Sequence, residues 1–227
     1  LRLGETAYRV RASFLPSAGS NVAARLSTLA MHRIDLTGGA VLERGCVYVV
    51  PLQESLNLPK ALSARANPKS SIGRLDVFVR LIAEHAAAFD QVPRGYRGKL
   101  WVEIAPRSFS VLARCGDRLN QLRFQRGATA YSGPTLAKLD AERGLVFGAS
   151  GPEPATIAGG FRVSVDLVGE GGRVGYRARP HAPVIDLRKI DYYDPADFWD
   201  AIAPAPDRTL VLDPDAFYIL ASKERLR

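Results

Sequence analysis

Eight residues carry the first chemical signal: Asn67-Pro68-Lys69-Ser70-Ser71-Ile72-Gly73-Arg74. Pro68 biases Asn67 toward an extended backbone. Lys69 then offers a cation, and Ser70 and Ser71 offer two hydroxyls and backbone N–H groups. Ile72, Leu75 and Val79 follow at roughly helical spacing, which places the polar cluster at a helix N-terminus. Orphan N–H groups and the positive dipole end favour an anion there. A lysine with two hydroxyls matches several oxygens at once, as a polyphosphate presents them. The competing reading is a surface capping loop, because serine is a common N-cap. The second signal is Gly95-Tyr96-Arg97-Gly98, a turn, followed by Lys99 to Ile104, a strand. Alternation puts Leu100, Val102 and Ile104 on one face and Lys99, Trp101 and Glu103 on the other. The first face is core. The second sets a carboxylate beside an indole, and by frequency such a glutamate is a half-exposed surface residue.

The elements that must position these residues read mostly as strands. Tyr8 to Leu15 alternates, Cys46 to Leu52 is a strong apolar run, and Ser108 to Ala113 and Leu119 to Phe124 follow. Asn21 to His32 is a helix or a connecting segment. Val77 to Ile82 is ambiguous: its composition is β-like, but Ile72, Leu75, Val79, Ile82 and Phe89 also share a helical face. A helix is expected across Ser71 to Leu75. Many short strands joined by Gly/Pro turns predict a mainly β fold, a compact barrel or jelly roll with short helices. Residues 127–160 are rich in Ala, Gly and Pro and read as a linker or insertion, with a short helix at Thr135 to Glu142. Phe161 to Val168 alternates as a further strand.

The end of the chain then repeats its beginning. Tyr176-Arg177-Ala178-Arg179 echoes Tyr8-Arg9-Val10-Arg11, and Val211 to Leu220 lies over Val41 to Val50. The offsets are 168 and 170 residues. Three segments result: a first module over 1–126, the linker over 127–160, and over 161–227 the start of a second, truncated copy. The competing view is two turn-plus-strand pieces with similar local needs.

Of 227 residues, 31 are Lys or Arg and 23 Asp or Glu, a formal net charge of +8. That balance suits polyanions, but the positive residues are spread, as for a phosphate pocket, rather than grouped as for a nucleic-acid groove. Hydrophobic residues make up 47% of the chain, enough for a packed core. Cys46 and Cys115 lie in apolar runs and are expected as buried free thiols, without zinc-site spacing. No signal peptide or long apolar span is present, so the cytoplasm is the expected location and no membrane partner is expected.

The ordered set Lys-Ser-Ser-x-x-Arg, Gly-aromatic-x-Gly and strand Glu resembles the dCTP deaminase branch of the dUTPase-like family, from about Tyr8 to Arg126. The resemblance implies a dUTPase-like β-barrel and hydrolytic deamination of dCTP to dUTP and ammonia. It implies Glu103 as general acid and base in turn, since one carboxyl can do both. Arg74 orients and stabilises the catalytic arrangement and is expected beside Glu103. Lys69, Ser70 and Ser71 hold phosphate, with Tyr96 and Trp101 as further substrate-binding residues. Mg2+ arrives on the triphosphate. No zinc is expected, because the His/Cys set and Pro-Cys-x-x-Cys signature of zinc deaminases are absent. The family's sites form between subunits, so self-association is expected, as a trimer or pseudo-trimer of modules. The resemblance also fits a long, two-module form. One departure stands out: the family's Asp-Pro-Gly before the aromatic is Pro93-Arg94-Gly95 here, with only Asp90 nearby. That counts against dUTP diphosphatase chemistry in this copy. A dUTP diphosphatase or bifunctional relative stays the first alternative, and a module that only binds nucleotide or nucleic acid the second.

Overall fold

The computed structural model describes residues 1–16, 19–127, 132–148, 151–152 and 155–226. The fold is mainly β with a few short helices, as expected. Two compact units form: Leu1–Ala128 with Arg179–Phe198, and Thr129–Ala178 with Trp199–Arg227. The stretch expected to run as one module from 161 to 227 is thus interrupted, because residues 179–198 pack with the first unit. Among the described residues no helix is long and apolar enough to cross a membrane.

The first unit holds β1 (Thr6–Val10), β2 (Ala30–Asp35), β3 (Ala40–Leu42), β4 (Val47–Asn57), β5 (Leu62–Pro68), β6 (Val77–Ala83), β7 (Gln91–Val92), β8 (Arg97–Pro106), β9 (Val111–Ala113) and β10 (Asn120–Arg126). Its main sheet has the order β2-β1-β4-β8-β6. β4 and β8 are the central strands, and their apolar runs are buried on both faces. On one face Tyr48, Val50, Val79, Leu81, Leu100, Val102 and Ile104 form the core. Helix α1 (Val22–Leu29) covers the other. The Asn21 side chain caps it, accepting from the Ala24 N–H at 2.7 Å. Val22 and Leu26 then bury against Val10, Phe14, Val49, Ile82 and Trp101.

Three sequence expectations change here. The ambiguous stretch after Arg74 is strand β6, and the helix before it, α2, covers only Ser70–Gly73. Phe161 to Val168 forms isolated bridges rather than a ladder, because two different segments meet it at single points: Ile157 at Phe161 and Ser222 at Val165. Cys46 and Cys115 are half-buried free thiols rather than buried ones; each sits beside a turn, outside the strand interior.

The second unit contains α3 (Gly133–Arg143), β11 (Val146–Gly148), β12 (Gly151–Pro152), β13 (Gly175–Ala178), β15 (Trp199–Ile202), β16 (Tyr218–Leu220) and β17 (Arg225–Leu226); β14 (Ile185–Asp186) belongs to the first unit. Ser132 caps α3 and Gly144 ends it in a left-handed conformation. The sheet β15-β13-β16 reproduces β2-β1-β4 in register. Tyr8 pairs with Val49 and Arg33, and Tyr176 pairs with Ile219 and Ala201. The Glu43 N–H donates to the Tyr48 hydroxyl at 2.9 Å, and the Asp213 N–H donates to the Tyr218 hydroxyl at 3.1 Å. Leu3 bridges Leu52, and Val165 bridges Ser222. The Arg2 N–H donates to Glu54 and the Ser164 N–H to Glu224.

Candidate active site

Glu103 is 1% exposed, in the middle of β8. The ladder gives it Val49 on one side and Arg80 on the other. Directly paired antiparallel residues share a face, so Arg33, Tyr8, Val49, Glu103 and Arg80 form one row across all five strands. A buried carboxylate needs a partner, and Arg80 supplies it. Its Nε lies 3.0 Å from Glu103 Oε1, and its Nη2 also donates to Oε1. Oε2 of Glu103 is buried without a hydrogen-bond partner.

The guanidinium is itself held. Its carbon lies 4.0 Å from the centre of the Phe89 ring, a cation–π distance. Nη2 donates to the Ser13 hydroxyl at 3.1 Å. Asp90, in a left-handed turn, accepts from the Leu81 N–H at 2.8 Å. Burial pushes the Asp90 carboxyl up, against the Leu81 bond and the Arg80 charge; the Glu103 charge pushes the same way as burial.

Trp101, two residues before Glu103 and on its face, is fixed by Glu84. The indole Nε1 donates to Glu84 Oε1 at 2.9 Å, and Glu84 Oε2 accepts from the Val22 N–H at 2.9 Å, at the first turn of α1. The Tyr96 hydroxyl accepts from the Glu84 N–H at 3.0 Å and donates to the Lys99 carbonyl. Burial pushes the Tyr96 phenol up. Gly98 explains the spacing of Gly-aromatic-x-Gly: a Cβ there would lie 2.9 Å from the Tyr96 hydroxyl, at φ +156°. Beside Trp101, a cleft of about 420 Å³ opens between Tyr8, Leu26, Met31 and Arg33.

The phosphate motif lies elsewhere in the unit. Lys69 occupies the N-cap of α2 without a side-chain cap bond, and Lys69, Ser70, Ser71 and Arg74 are exposed. Arg74 is the C-cap of α2. Among the described residues the guanidinium on Glu103 belongs to Arg80, and the expected approach of Arg74 to Glu103 does not occur. With Val77–Ala83 a strand rather than a continued helix, Arg74 is left at its entrance, and every second residue of β6 faces Glu103's side. Lys69 lines a cleft of about 620 Å³ with Ser55, Arg118, Asn120, Gln121 and Phe124. Asn120 is 3% exposed and its Nδ2 has no partner. Glu54, also in this cleft, is neutralised by Arg2, whose Nε lies 2.7 Å away. Arg80, Glu84, Arg118 and Asn120 are the residues that sequence reasoning missed. Alternation along β6 would have found Arg80. No local pattern marks the others. Among the described residues no three His, Cys, Asp or Glu side chains group as a metal site.

Residues 1–128 match the family described as the 2'-deoxycytidine 5'-triphosphate deaminase N-terminal domain, and residues 132–227 match its C-terminal domain. The crystal structure of a 2'-deoxycytidine 5'-triphosphate deaminase from Agrobacterium tumefaciens superimposes with a TM-score of 0.92 and 46% identity, over 100% of this chain and 67% of that one. A dCTP deaminase of Sulfurisphaera tokodaii is 29% identical over 93 residues, 41% of this chain. The chain spans about half the length of that curated relative, 46%. With both of the family's domains matched along its length, the chain belongs to the dCTP deaminase family.

Proposed function

We propose that the protein hydrolyses dCTP to dUTP and ammonia in the cytoplasm, with Glu103 as the proton carrier. Water adds to C4 of the cytosine ring, the C4–N bond breaks, and ammonia leaves. The reaction needs a base for the water proton and an acid for ring nitrogen and leaving amine, and one carboxyl serves both in turn. The observation that carries this reading is Glu103 itself. It is a buried carboxylate with one oxygen engaged by Arg80 and the other unpartnered. An orphaned buried acceptor is rare in folded proteins and costs stability, so it points to function.

The triphosphate, with Mg2+ as part of the substrate, is assigned to the cleft of Lys69. Arg118 and the buried Asn120 amide support the assignment, since they add a cation and an unused donor to the same wall. Ser70, Ser71 and Arg74 are assigned to the same nucleotide from their exposed positions. Arg74, turned away from Glu103 of its own chain, fits a site completed by a neighbouring copy, in a homo-oligomer. Tyr96 is assigned a supporting role behind Trp101 rather than contact with substrate, because its hydroxyl is spent on Glu84 and Lys99.

The test is Glu103→Gln, which keeps size but cannot take the proton. Single-turnover ammonia release from dCTP should fall at least about a hundredfold, with dCTP affinity nearly unchanged. Near-wild-type turnover would remove Glu103 from the mechanism. Release of pyrophosphate in place of ammonia would favour dUTP hydrolysis.

A further inference from the structure

Arg80 places two of its N–H donors, those of Nε and Nη2, on one oxygen of Glu103 and none on the other. This is not the parallel fork that an arginine usually makes with a carboxylate. A fork would occupy both oxygens and leave neither for chemistry. Stacked donation onto Oε1 does the opposite. A carboxyl oxygen that already accepts two N–H bonds has no room for a proton, so any proton carried by Glu103 sits on Oε2.

Three contacts keep Arg80 from sliding into the symmetric fork. The Phe89 ring lies against the guanidinium at 4.0 Å. The Ser13 hydroxyl accepts from the nitrogen Nη2 at 3.1 Å. The ladder itself holds the two backbones opposite one another, Arg80 against Glu103. Asp90 lies near enough for the Arg80 charge to act on its carboxyl.

We infer that Arg80 is a positioning residue for the deamination: held by Phe89 and Ser13, it engages Oε1 of Glu103 and reserves Oε2 as the oxygen that moves the proton. The inference rests on the reading of Glu103 given above. Arg80 touches neither the reacting water nor the base, and acts only through the carboxylate.

The experiment compares Arg80→Gln, Arg80→Lys and Phe89→Leu with the unaltered protein. Turnover is counted per binding-competent site, titrated with a non-reactive dCTP analogue, so that loss of folded protein does not enter. Arg80→Gln should lower kcat at least tenfold and leave KM within about twofold, because orientation and not substrate binding is lost. Arg80→Lys should restore part of the rate, since charge returns without the planar donors. Phe89→Leu keeps the guanidinium and frees it, and should lower kcat several-fold at constant KM. Infrared difference spectra, with Glu103→Gln as the blank, give a readout besides turnover. The two carboxylate stretches should move closer together in Arg80→Gln as the two oxygens become alike. Unchanged kcat per site in Arg80→Gln, a rise in KM matching the fall in kcat, or a lysine variant no better than the glutamine one would each overturn the inference. If Glu103→Gln itself turns over normally, the reading of Glu103 fails; stretches that still converge in Arg80→Gln would then confine the failure to that reading, whereas unchanged stretches would overturn the one-oxygen grip of Arg80 as well.

Discussion

The sheet β2-β1-β4 and the sheet β15-β13-β16 share one frame and differ in burial. Their pairings correspond at Tyr8 and Arg9 and at Tyr176 and Arg177, as does the tyrosine that accepts from the N–H five positions earlier; the shift at Val10, which meets Ala30, is not repeated at Ala178, which meets Trp199. Even the surface ion pairs correspond: Arg9 with Glu43, and Arg177 with Asp213. Yet Tyr48, Val49 and Val50 are buried, whereas Tyr218, Ile219 and Leu220 are half-exposed. The difference is β8. In the first unit β8 pairs along the outer edge of β4 and brings Glu103 beside Val49. Among the described residues of the second unit, no strand pairs with the outer edge of β16. Local sequence is thus enough to set the frame. The interior, and with it any buried carboxylate, comes from a strand far along the chain.

Matched substitutions at equivalent positions break or sharpen this comparison. The largest contrast should come from Leu42 and Leu212, the same residue 170 positions apart, the first fully buried and the second 56% exposed. Leu42→Ala should cost about 2–5 kcal/mol in denaturant unfolding of the first unit. Leu212→Ala should stay within about 0.5 kcal/mol. Equal losses would show that burial does not separate the two frames. Next come the tyrosines. Tyr48→Phe strips the part-buried Glu43 N–H of its acceptor and should cost about 1–3 kcal/mol, while Tyr218→Phe leaves the Asp213 N–H to water and should lie within about 0.5 kcal/mol.

A smaller contrast concerns β14, which has no counterpart among the described residues of the second unit. The Arg114 guanidinium grips Asp186 through both oxygens, at 2.6 and 2.9 Å, and with the Arg188 N–H it holds the Asp186 carboxyl down at about 2. A carboxyl depressed on folding stabilises above its unfolded pKa of about 3.9, and loses that contribution as pH falls toward 2. Asp186→Asn should therefore lower the stability of the first unit at neutral pH, and the gap to the unaltered protein should close between about pH 4 and pH 2. A gap that persists at pH 2 would assign Asp186's role to packing. The smallest effect is expected at Arg177→Ala, which removes an exposed pair with Asp213 and should change stability by about 0–1 kcal/mol.

The frame was legible in the sequence because it rests on alternation, turns and a fixed repeat, all of them local. The strand of Glu103, its two faces and its neighbour Trp101 were legible for the same reason. What surrounds Glu103 was not. Arg80, Glu84 and Phe89 come from one short stretch running out of β6, and Ser13 from far up the chain; that they reach Glu103 or its neighbour follows from the pairing of β6 with β8, which no local pattern sets. Arg74 was expected at Glu103 from the resemblance, while helical spacing across Leu75 to Ile82 competed with β composition in the stretch that follows it. Pairing with β8 decided in favour of the strand, and that moved the guanidinium from position 74 to position 80. The depth of Glu103 was likewise hidden, since α1 covers its face and a helix over residues 21–32 was only one of two readings.

Residues 179–198 complete the first unit, and they are made late. β14 lies along β9, and Phe198 meets the edge of Phe109 at 5.8 Å. When residue 128 leaves the ribosome, β9 still has one bare edge, and Arg114 and Asp117 still lack Asp186 and Arg188. At about 5–20 residues per second, the nascent unit waits roughly 4–14 s for position 198. During that interval its exposed strand is open to chaperones and to other nascent chains. Slowing or speeding translation between codons 129 and 198 should therefore alter the yield of soluble protein without changing a single contact in the finished fold.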